Sequence, residues 1–335
     1  MARSIAIIGA GQIGLEVALS AFAAGWRITI CSRTRPAWSE FYDEWRPYTA
    51  PEDEPVQADF VVDTIAFDAA DIERYDPKAI ERLIVISSAS VYRDAQGRTL
   101  DEATANGWPE FGGPIREDNP TVAPGPETYS TRKMRMERAA QDRFGERATL
   151  LRPCAIYGRH SRHPREWWFV KRLLDGRTRI PLTLGGRSRF QTTWAHTIGL
   201  AATQAFEQEL GGVYNVADRD APNVLEIGEA ILEAMRDHPQ CKEARFEPIE
   251  DAGLIGRTPW SVGQPMVVSG AKLESAVAER FDGMSELYAR AVQPTVRWLC
   301  ECNPAHWRTA FPQLAAYPWD LFDYATEDRF FDKQP

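Results

Sequence analysis

Tyr129 and Lys133 stand four residues apart in Tyr129-Ser130-Thr131-Arg132-Lys133, and in a helix that spacing puts both side chains on one face. The pairing suits proton transfer. A phenol with an ordinary pKa near ~10 is a poor acid or base at neutral pH. An adjacent ammonium favours the phenolate and brings the group into a useful range. Lys133 is therefore expected to lower the Tyr129 pKa and to hydrogen-bond a nicotinamide ribose. Ser88 is the third candidate. An apolar strand-like run, Leu83–Ser87, leads into Ser88-Ala89-Ser90-Val91-Tyr92, and ligands of open α/β sheets bind beyond the carboxyl ends of the strands. A hydroxyl there can orient a substrate oxygen toward Tyr129, with Ser90 as a further substrate contact.

Such chemistry needs a hydride carrier, and the start of the chain supplies a place for one. The β-branched run Ser4–Ile8 is followed by Gly9-Ala10-Gly11-Gln12-Ile13-Gly14 and then by an apolar helical stretch to Ala24. Strand, G-x-G-x-x-G and helix in that order form a dinucleotide fingerprint. Gly9 permits the tight turn, Gly11 lets the backbone approach a pyrophosphate, and Gly14 lets the helix pack on the strand. Gln12 and Ile13 open the helix, whose N-terminus favours the phosphates. A second strand, Arg27–Cys31, ends where NAD-binding proteins carry an acid for the ribose 2′-hydroxyl. Here the residues are Cys31-Ser32-Arg33-Thr34-Arg35. With no carboxylate present, Ser32, Arg33 and Arg35 are candidates for a 2′-phosphate, so NADP is expected ahead of NAD.

The elements that must position these groups alternate between strand and helix through the first 155 or so residues, the signature of a doubly wound parallel sheet. Phe60–Ala66 is a third strand, Leu83–Ser87 a fourth and Ala148–Arg152 another, with a helix over Glu127–Phe144. Ile65 and Ala66, at the end of the third strand, are expected to line the cofactor. A polar, Pro- and Gly-rich stretch from Asp94 to Pro126 reads as a lid or a disordered loop. Beyond it the pattern changes. Helical segments are expected at Glu166–Leu174, Thr197–Glu209, Val224–Arg236 and Ser285–Glu301, with short strands near Arg179–Leu184, Phe190–Thr193 and Gly212–Val216. A tail rich in Trp, Tyr and Phe, from Trp307 to Phe331, is expected to dock on the body.

Length and composition narrow the possibilities. The chain has 335 residues, enough for a large core and two lobes. The net charge of −9 argues against general nucleic-acid affinity. No segment suits a membrane span, and the first strand begins almost at once, so a cytoplasmic protein is expected. Five cysteines form no disulfide framework, and Cys300-x-Cys302 reads as incidental. His160-x-x-His163 lacks the companion ligands of a metal site, so no metal is expected. His160, Trp168, Arg189, Gln191 and Trp194 mix charge and aromatic surface in a way that suits a phosphorylated or carboxylated small-molecule substrate.

Taken together, these residues resemble the extended branch of the short-chain dehydrogenase/reductase superfamily, the NAD(P)-dependent epimerase/dehydratase family. The resemblance rests on Gly9–Gly14, Ile86–Tyr92, Tyr129–Lys133, Leu151-Arg152-Pro153-Cys154-Ala155-Ile156-Tyr157-Gly158 and Gly212-Val213-Tyr214-Asn215-Val216. It implies an α/β protein: a Rossmann-type doubly wound parallel sheet over residues 1–158, with elements near 190–220 returning to it. A smaller C-terminal α+β substrate lobe would occupy 159–335. It implies catalytic roles for Ser88, Tyr129 and Lys133, and places Pro153, Ala155 and Ile156 along the nicotinamide. The chain carries Phe190 where nucleotide-sugar epimerases of this kind carry a diphosphate-binding arginine, with Arg189 one residue away. The expected activity is NAD(P)-dependent hydride transfer, leaning to carbonyl reduction. Nucleotide-sugar epimerisation or dehydration with a retained cofactor is one alternative, and a non-catalytic dinucleotide sensor another. A monomer or homodimer is expected.

Overall fold

A computed structural model describes residues 3–333 except 51, 55, 57, 251 and 278–284. The chain divides into two compact units. The first comprises Met1–Ile156, Ala195–Asp218 and Val268–Ser285. The second comprises Tyr157–Trp194, Arg219–Val267 and Glu286–Pro335.

The first unit is built on a seven-stranded parallel sheet. Its strands are β1 (Ser4–Ile8), β2 (Arg27–Ser32), β3 (Glu44–Pro47), β4 (Phe60–Asp63), β5 (Arg82–Ile86), β6 (Ala148–Pro153) and β7 (Gly212–Val216). Their order is β7-β6-β5-β4-β1-β2-β3. The central strands β1, β4 and β5 are mainly apolar because both faces of the sheet are covered there. Ile5 and Ile7 face one core with Ile28, Ile30, Val62, Ile84 and Leu151, while Ala6 and Ile8 face another with Val61, Leu83, Val85 and Leu150. Successive strands leave β1 in opposite directions, toward β2 and toward β4. This makes the crevice beyond β1 and β4 the topological switch point, where ligands of such sheets bind.

Two helices of this unit pack almost backbone to backbone. A Cβ on Gly199 would lie 2.3 Å from the Glu16 carbonyl oxygen. Beside this contact His196 Nδ1 lies 3.0 Å from Glu16 Oε2, and Thr203 Oγ1 donates to Ser20 Oγ at 2.6 Å. The helix carrying Glu16, Gln12–Ala23, is thereby fixed against Ala195–Glu207.

The sequence expectations hold for β1 and β7, residue for residue, and differ at several other points. The third expected strand stops at Asp63, short of Ala66, because the Asp63 carboxylate accepts the Ile65 and Ala66 N–H groups and turns the chain. A strand at Glu44–Pro47 went unread. It lies at the edge of the sheet, and Arg46 and Pro47 are exposed. The Asp94–Pro126 stretch is ordered by hydrogen bonds at several points. Asp94 is buried and accepts from Gln96, Arg98 and Glu110 N–H groups and from the Arg98 guanidinium. Val122 N–H bonds the Val91 carbonyl. Glu117, from the same stretch, accepts the Asn215 N–H of β7 at 2.7 Å, and Lys272 Nζ donates to the Val213 carbonyl of that strand at 2.7 Å.

The second unit is largely helical. Its helices include Trp167–Leu174, Val224–Ala234, Gln293–Cys302 and Tyr324–Phe331, and a parallel pair of short strands joins Arg179–Leu182 to Arg245–Pro248. The single late helix expected over Ser285–Glu301 is two, Tyr288–Ala291 and Gln293–Cys302, with Pro294 in the first turn of the second. The aromatic tail is packed into this unit. Glu327 forms a buried ion pair with Arg172 at 2.5 Å, and the Arg172 guanidinium lies 3.5 Å from the centre of the Trp168 ring.

Candidate active site

The glycine-rich turn lies at the C-terminal end of β1. Gly9 has φ of +101°, a left-handed conformation that favours glycine. A Cβ there would lie 2.3 Å from Thr64 Oγ1 and 2.7 Å from Ile65 Cγ2, so the turn is pressed against the segment that follows β4. A Cβ on Gly14 would lie 2.1 Å from the Gly9 carbonyl oxygen. Gly11 differs: a Cβ there meets nothing within 4 Å. It caps the Gln12–Ala23 helix without a side-chain cap bond. Gln12 Oε1 is buried without a partner. Open space over Gly11 and a positive helix end leave room and favourable polarity for a diphosphate. These residues fit a dinucleotide.

Thr64–Phe67 forms the opposite wall of the turn. Ile65 is 49% exposed, unusual for an isoleucine beside a core strand, while Ala66 is buried. The Ala66 carbonyl accepts from Lys133 Nζ at 2.7 Å, and the Ile86 carbonyl, at the end of β5, accepts from the same nitrogen at 2.9 Å. Lys133 thus ties the C-terminal ends of two neighbouring strands. Its helix, Tyr129–Phe144, starts with a reciprocal cap in which Thr128 and Thr131 side chains meet each other's N–H groups. Tyr129 is the first residue after that cap and is 45% exposed. Its ring lies 5.4 Å from the Phe67 ring, centre to centre. Ser88 caps the turn after β5 by accepting the Ser90 N–H at 3.1 Å, and its hydroxyl is directed at the Tyr129 phenol as well as at Ser90 Oγ. Ser90 is buried and accepts from Ser130 Oγ, so it braces the helix start.

The electrostatics correct one expectation. The Tyr129 pKa is raised, not lowered. Burial is the main cause, the Ser88 hydrogen bond opposes it, and the Asp101 charge adds to it. Lys133 does not act on the phenol, because its ammonium is committed to two carbonyls and lies 5.8 Å from the centre of the Tyr129 ring. Burial instead pushes the Lys133 pKa down to about 8, with Asp63 the strongest of the charges that oppose it. At neutral pH the arrangement is a protonated phenol beside a charged amine.

Other expected site residues are placed less favourably. The Ser32 hydroxyl is already used: it accepts from Trp45 Nε1 at 3.1 Å and donates to the Thr34 carbonyl at 2.8 Å. Arg33 and Arg35 are exposed, with Arg35 Nε 3.2 Å from the Tyr42 hydroxyl. Pro153 and Ala155 are buried at the end of β6, and Ile156 packs against the first core. His160, Trp168, Arg189, Gln191 and Trp194 all belong to the second unit. Trp168 is 1% exposed and buried beneath Arg172, which makes it a core aromatic, not a stacking surface. Gln191, equally buried, spends its amide on the Asp220 carbonyl at 2.7 Å. Arg189 bonds the Ala221 carbonyl and Glu226. His160 is exposed beside the Trp298 ring, and Trp194 is half-buried. Burial lowers the His163 pKa to about 3. Among the described residues, no group of three or more His, Cys, Asp or Glu side chains is placed to hold a metal ion.

Two buried acids near the site were not read from the sequence. Glu137, one turn beyond Lys133, pairs with Arg152 at 2.6 Å and accepts from Ser87 Oγ. Asp63 ends β4 and accepts the Tyr75 hydroxyl at 2.7 Å. For Asp63 the available signal was an isolated acid closing an apolar strand; Glu137 lies within a helix and gave no such signal.

The fold is thus a Rossmann-type, seven-stranded parallel sheet with a helical C-terminal region, and it is shared with solved epimerases and a dehydratase. The chain is similar to a UDP-galactose 4-epimerase, with 18% identity, 89% of this chain and 99% of that one covered, and a TM-score of 0.59. It is similar to the UDP-N-acetylglucosamine 4-epimerase of Methanobrevibacter ruminantium, solved with UDP-N-acetylmuramic acid, at 14% identity over 90% and 99% of the two chains and a TM-score of 0.65. It is also similar to the dTDP-glucose 4,6-dehydratase of Bacillus anthracis, solved with NAD, at 15% identity over 91% and 98% and a TM-score of 0.61. No protein-family model matches the chain, and no curated protein matches it in sequence. Among the described residues, no helix is long and apolar enough to cross a membrane.

Proposed function

We propose that the chain is a nicotinamide-dinucleotide-dependent enzyme of the epimerase/dehydratase type, acting on a carbonyl or hydroxyl carbon of a small molecule and leaning to carbonyl reduction. One observation carries this reading. The glycine turn, the Thr64–Phe67 wall, Lys133, Tyr129 and Ser88 form a continuous set of contacts at the switch point of one sheet. A bound dinucleotide supplies the hydride. Gly11 and the helix N-terminus would hold its diphosphate, with Gln12 and Ile13 beside it and Ile65 along its flank. Ser88 Oγ orients the substrate oxygen. Tyr129 Oη passes its proton to that oxygen, and Lys133, held by the Ala66 and Ile86 carbonyls, would hold the nicotinamide ribose. As a neutral phenol, Tyr129 carries the proton that the oxygen of a reduced carbonyl takes up, which supports the reductive direction. Arg33 and Arg35, exposed and free of a neighbouring acid within residues 31–35, support NADP.

The retained-cofactor reading is favoured by a different observation: the similar structures named above are nucleotide-sugar epimerases and a dehydratase. Protein purified with a dinucleotide that survives desalting supports it, and empty protein supports the reductase. The test of the shared core is Tyr129→Phe. Turnover of NADPH with a carbonyl and nucleotide-sugar panel should be lost, while dinucleotide affinity, read by tryptophan fluorescence, stays within about twofold. An equal loss of both would make Tyr129 a binding residue only and leave the sensor reading in place.

A further inference from the structure

Asp63 ends β4, fully shielded from water, and the proton transfer outlined above leaves it unused. A buried carboxylate is tolerated only when its oxygens are met by donors or a cation. Three donors meet this one. Oδ1 accepts the Ile65 N–H at 2.8 Å and the Ala66 N–H at 2.7 Å, and Oδ2 accepts the Tyr75 hydroxyl at 2.7 Å. Burial raises the Asp63 pKa, and these three bonds together with the Lys133 charge oppose that rise by favouring the ionised form, which only accepts. Ala66 is the link that matters. Its N–H is held by Asp63, and its carbonyl holds Lys133 Nζ at 2.7 Å.

We propose that Asp63 is a positioning residue for Lys133: it fixes the Ile65–Ala66 turn on which the Lys133 ammonium rests and is placed as that ammonium's counter-charge. The proposal rests on the functional reading above. Other groups face Lys133, and each is otherwise engaged. Glu137 is matched by Arg152. Asp71 accepts the Phe67 and Asp68 N–H groups. The Tyr129 and Phe67 rings stand 5.8 and 5.9 Å from Nζ and carry no charge at neutral pH. Asp63 itself is faced by Tyr75, Tyr48 and Lys133. Burial drives the Lys133 pKa down to about 8, and Asp63 is first among the groups holding it up. Without that charge the amine would titrate through neutrality.

The test is to follow the Lys133 titration in the full chain by NMR of 13C-labelled lysine, assigned with Lys133→Met. Asp63→Asn keeps the shape and removes the charge. Its Lys133 midpoint should fall by roughly 1 pH unit, and the basic limb of kcat should fall with it, while the KM for the dinucleotide is unchanged. Tyr75→Phe loosens the same carboxylate but keeps its charge, so its midpoint should not fall. An unchanged midpoint in Asp63→Asn, or an equal fall in Tyr75→Phe, overturns the proposal. Should Asp63→Asn not fold, the wild-type Asp63 carboxyl resonance decides: it should report an ionised group and inflect as Lys133 loses its proton, and a flat trace overturns the proposal. The NMR readout needs no substrate, so a failed activity assay with a shifted midpoint would sink the enzymatic reading alone.

Discussion

Replacing Gly11 by alanine separates the two jobs that a glycine-rich turn can have. The backbone there has φ of −80°, which any residue adopts, and a Cβ meets no protein atom within 4 Å. Alanine is a poorer helix cap than glycine by roughly 0.5–1 kcal/mol. It also restricts the unfolded chain, which stabilises by ~0.4–1 kcal/mol. The two nearly cancel, so the Tm of the free protein should move by no more than about 2 °C. The methyl group would occupy the space over the helix N-terminus that a diphosphate must enter, and dinucleotide affinity should fall at least tenfold, or ~1.4 kcal/mol. Gly14→Ala behaves oppositely. Its Cβ would lie 2.1 Å from the Gly9 carbonyl oxygen, far inside the 3.4 Å at which ordinary contact begins. That oxygen is backbone in a constrained turn and cannot swing aside. Overpacking of ~1–3 kcal/mol is offset by ~1 kcal/mol of helix propensity, leaving a Tm loss of a few degrees together with weakened binding. Differential scanning fluorimetry without ligand and tryptophan-fluorescence titration with NADPH read the two quantities. Gly11→Ala protein that binds NADPH as tightly as wild type would refute the diphosphate placement and leave a turn with only a structural purpose.

Two further outcomes follow from the same unit. Arg33→Ala with Arg35→Ala should weaken NADPH binding while leaving NADH binding within about twofold; an unchanged ratio of the two dissociation constants would remove the 2′-phosphate assignment. Glu137→Gln should cost ~3–5 kcal/mol in denaturant unfolding, because it leaves Arg152 buried without its counter-charge. Replacing both partners by apolar residues of similar volume should recover most of that loss, and a single-variant cost under ~1 kcal/mol would mean that water reaches the pair.

The parts of the molecule that could be read from residue order were those governed by local rules. β1, the glycine turn and the Tyr129 helix announce themselves through apolar runs, Gly spacing and a four-residue repeat. What could not be read were matters of tertiary surroundings. The run Phe60–Ala66 reads as one strand because Ile65 and Ala66 are apolar, and only the folded chain reveals that Asp63 turns it and that Ile65 is exposed. Spacing alone placed Lys133 next to Tyr129, yet the ammonium found two carbonyls at strand ends and left the phenol to Ser88. Trp168 looked like a stacking surface because tryptophan often is one, but Arg172 and the tail residue Glu327 enclose it. The edge strand Glu44–Pro47 carries a charged, Pro-terminated sequence that gives no strand signal by itself.

The side-chain caps on β7 bear on how this chain can associate. A strand at the rim of a parallel sheet normally offers its amide hydrogens and carbonyl oxygens to any extended chain that drifts against it. Here Glu117 occupies one such hydrogen and Lys272 one such oxygen, and both carry charge to that rim. A would-be neighbour must evict two ionised groups before it can add a single rung. The sheet is therefore guarded against growing into another molecule on that side, and self-association there has to rely on side-chain surfaces, without a shared ladder of main-chain bonds.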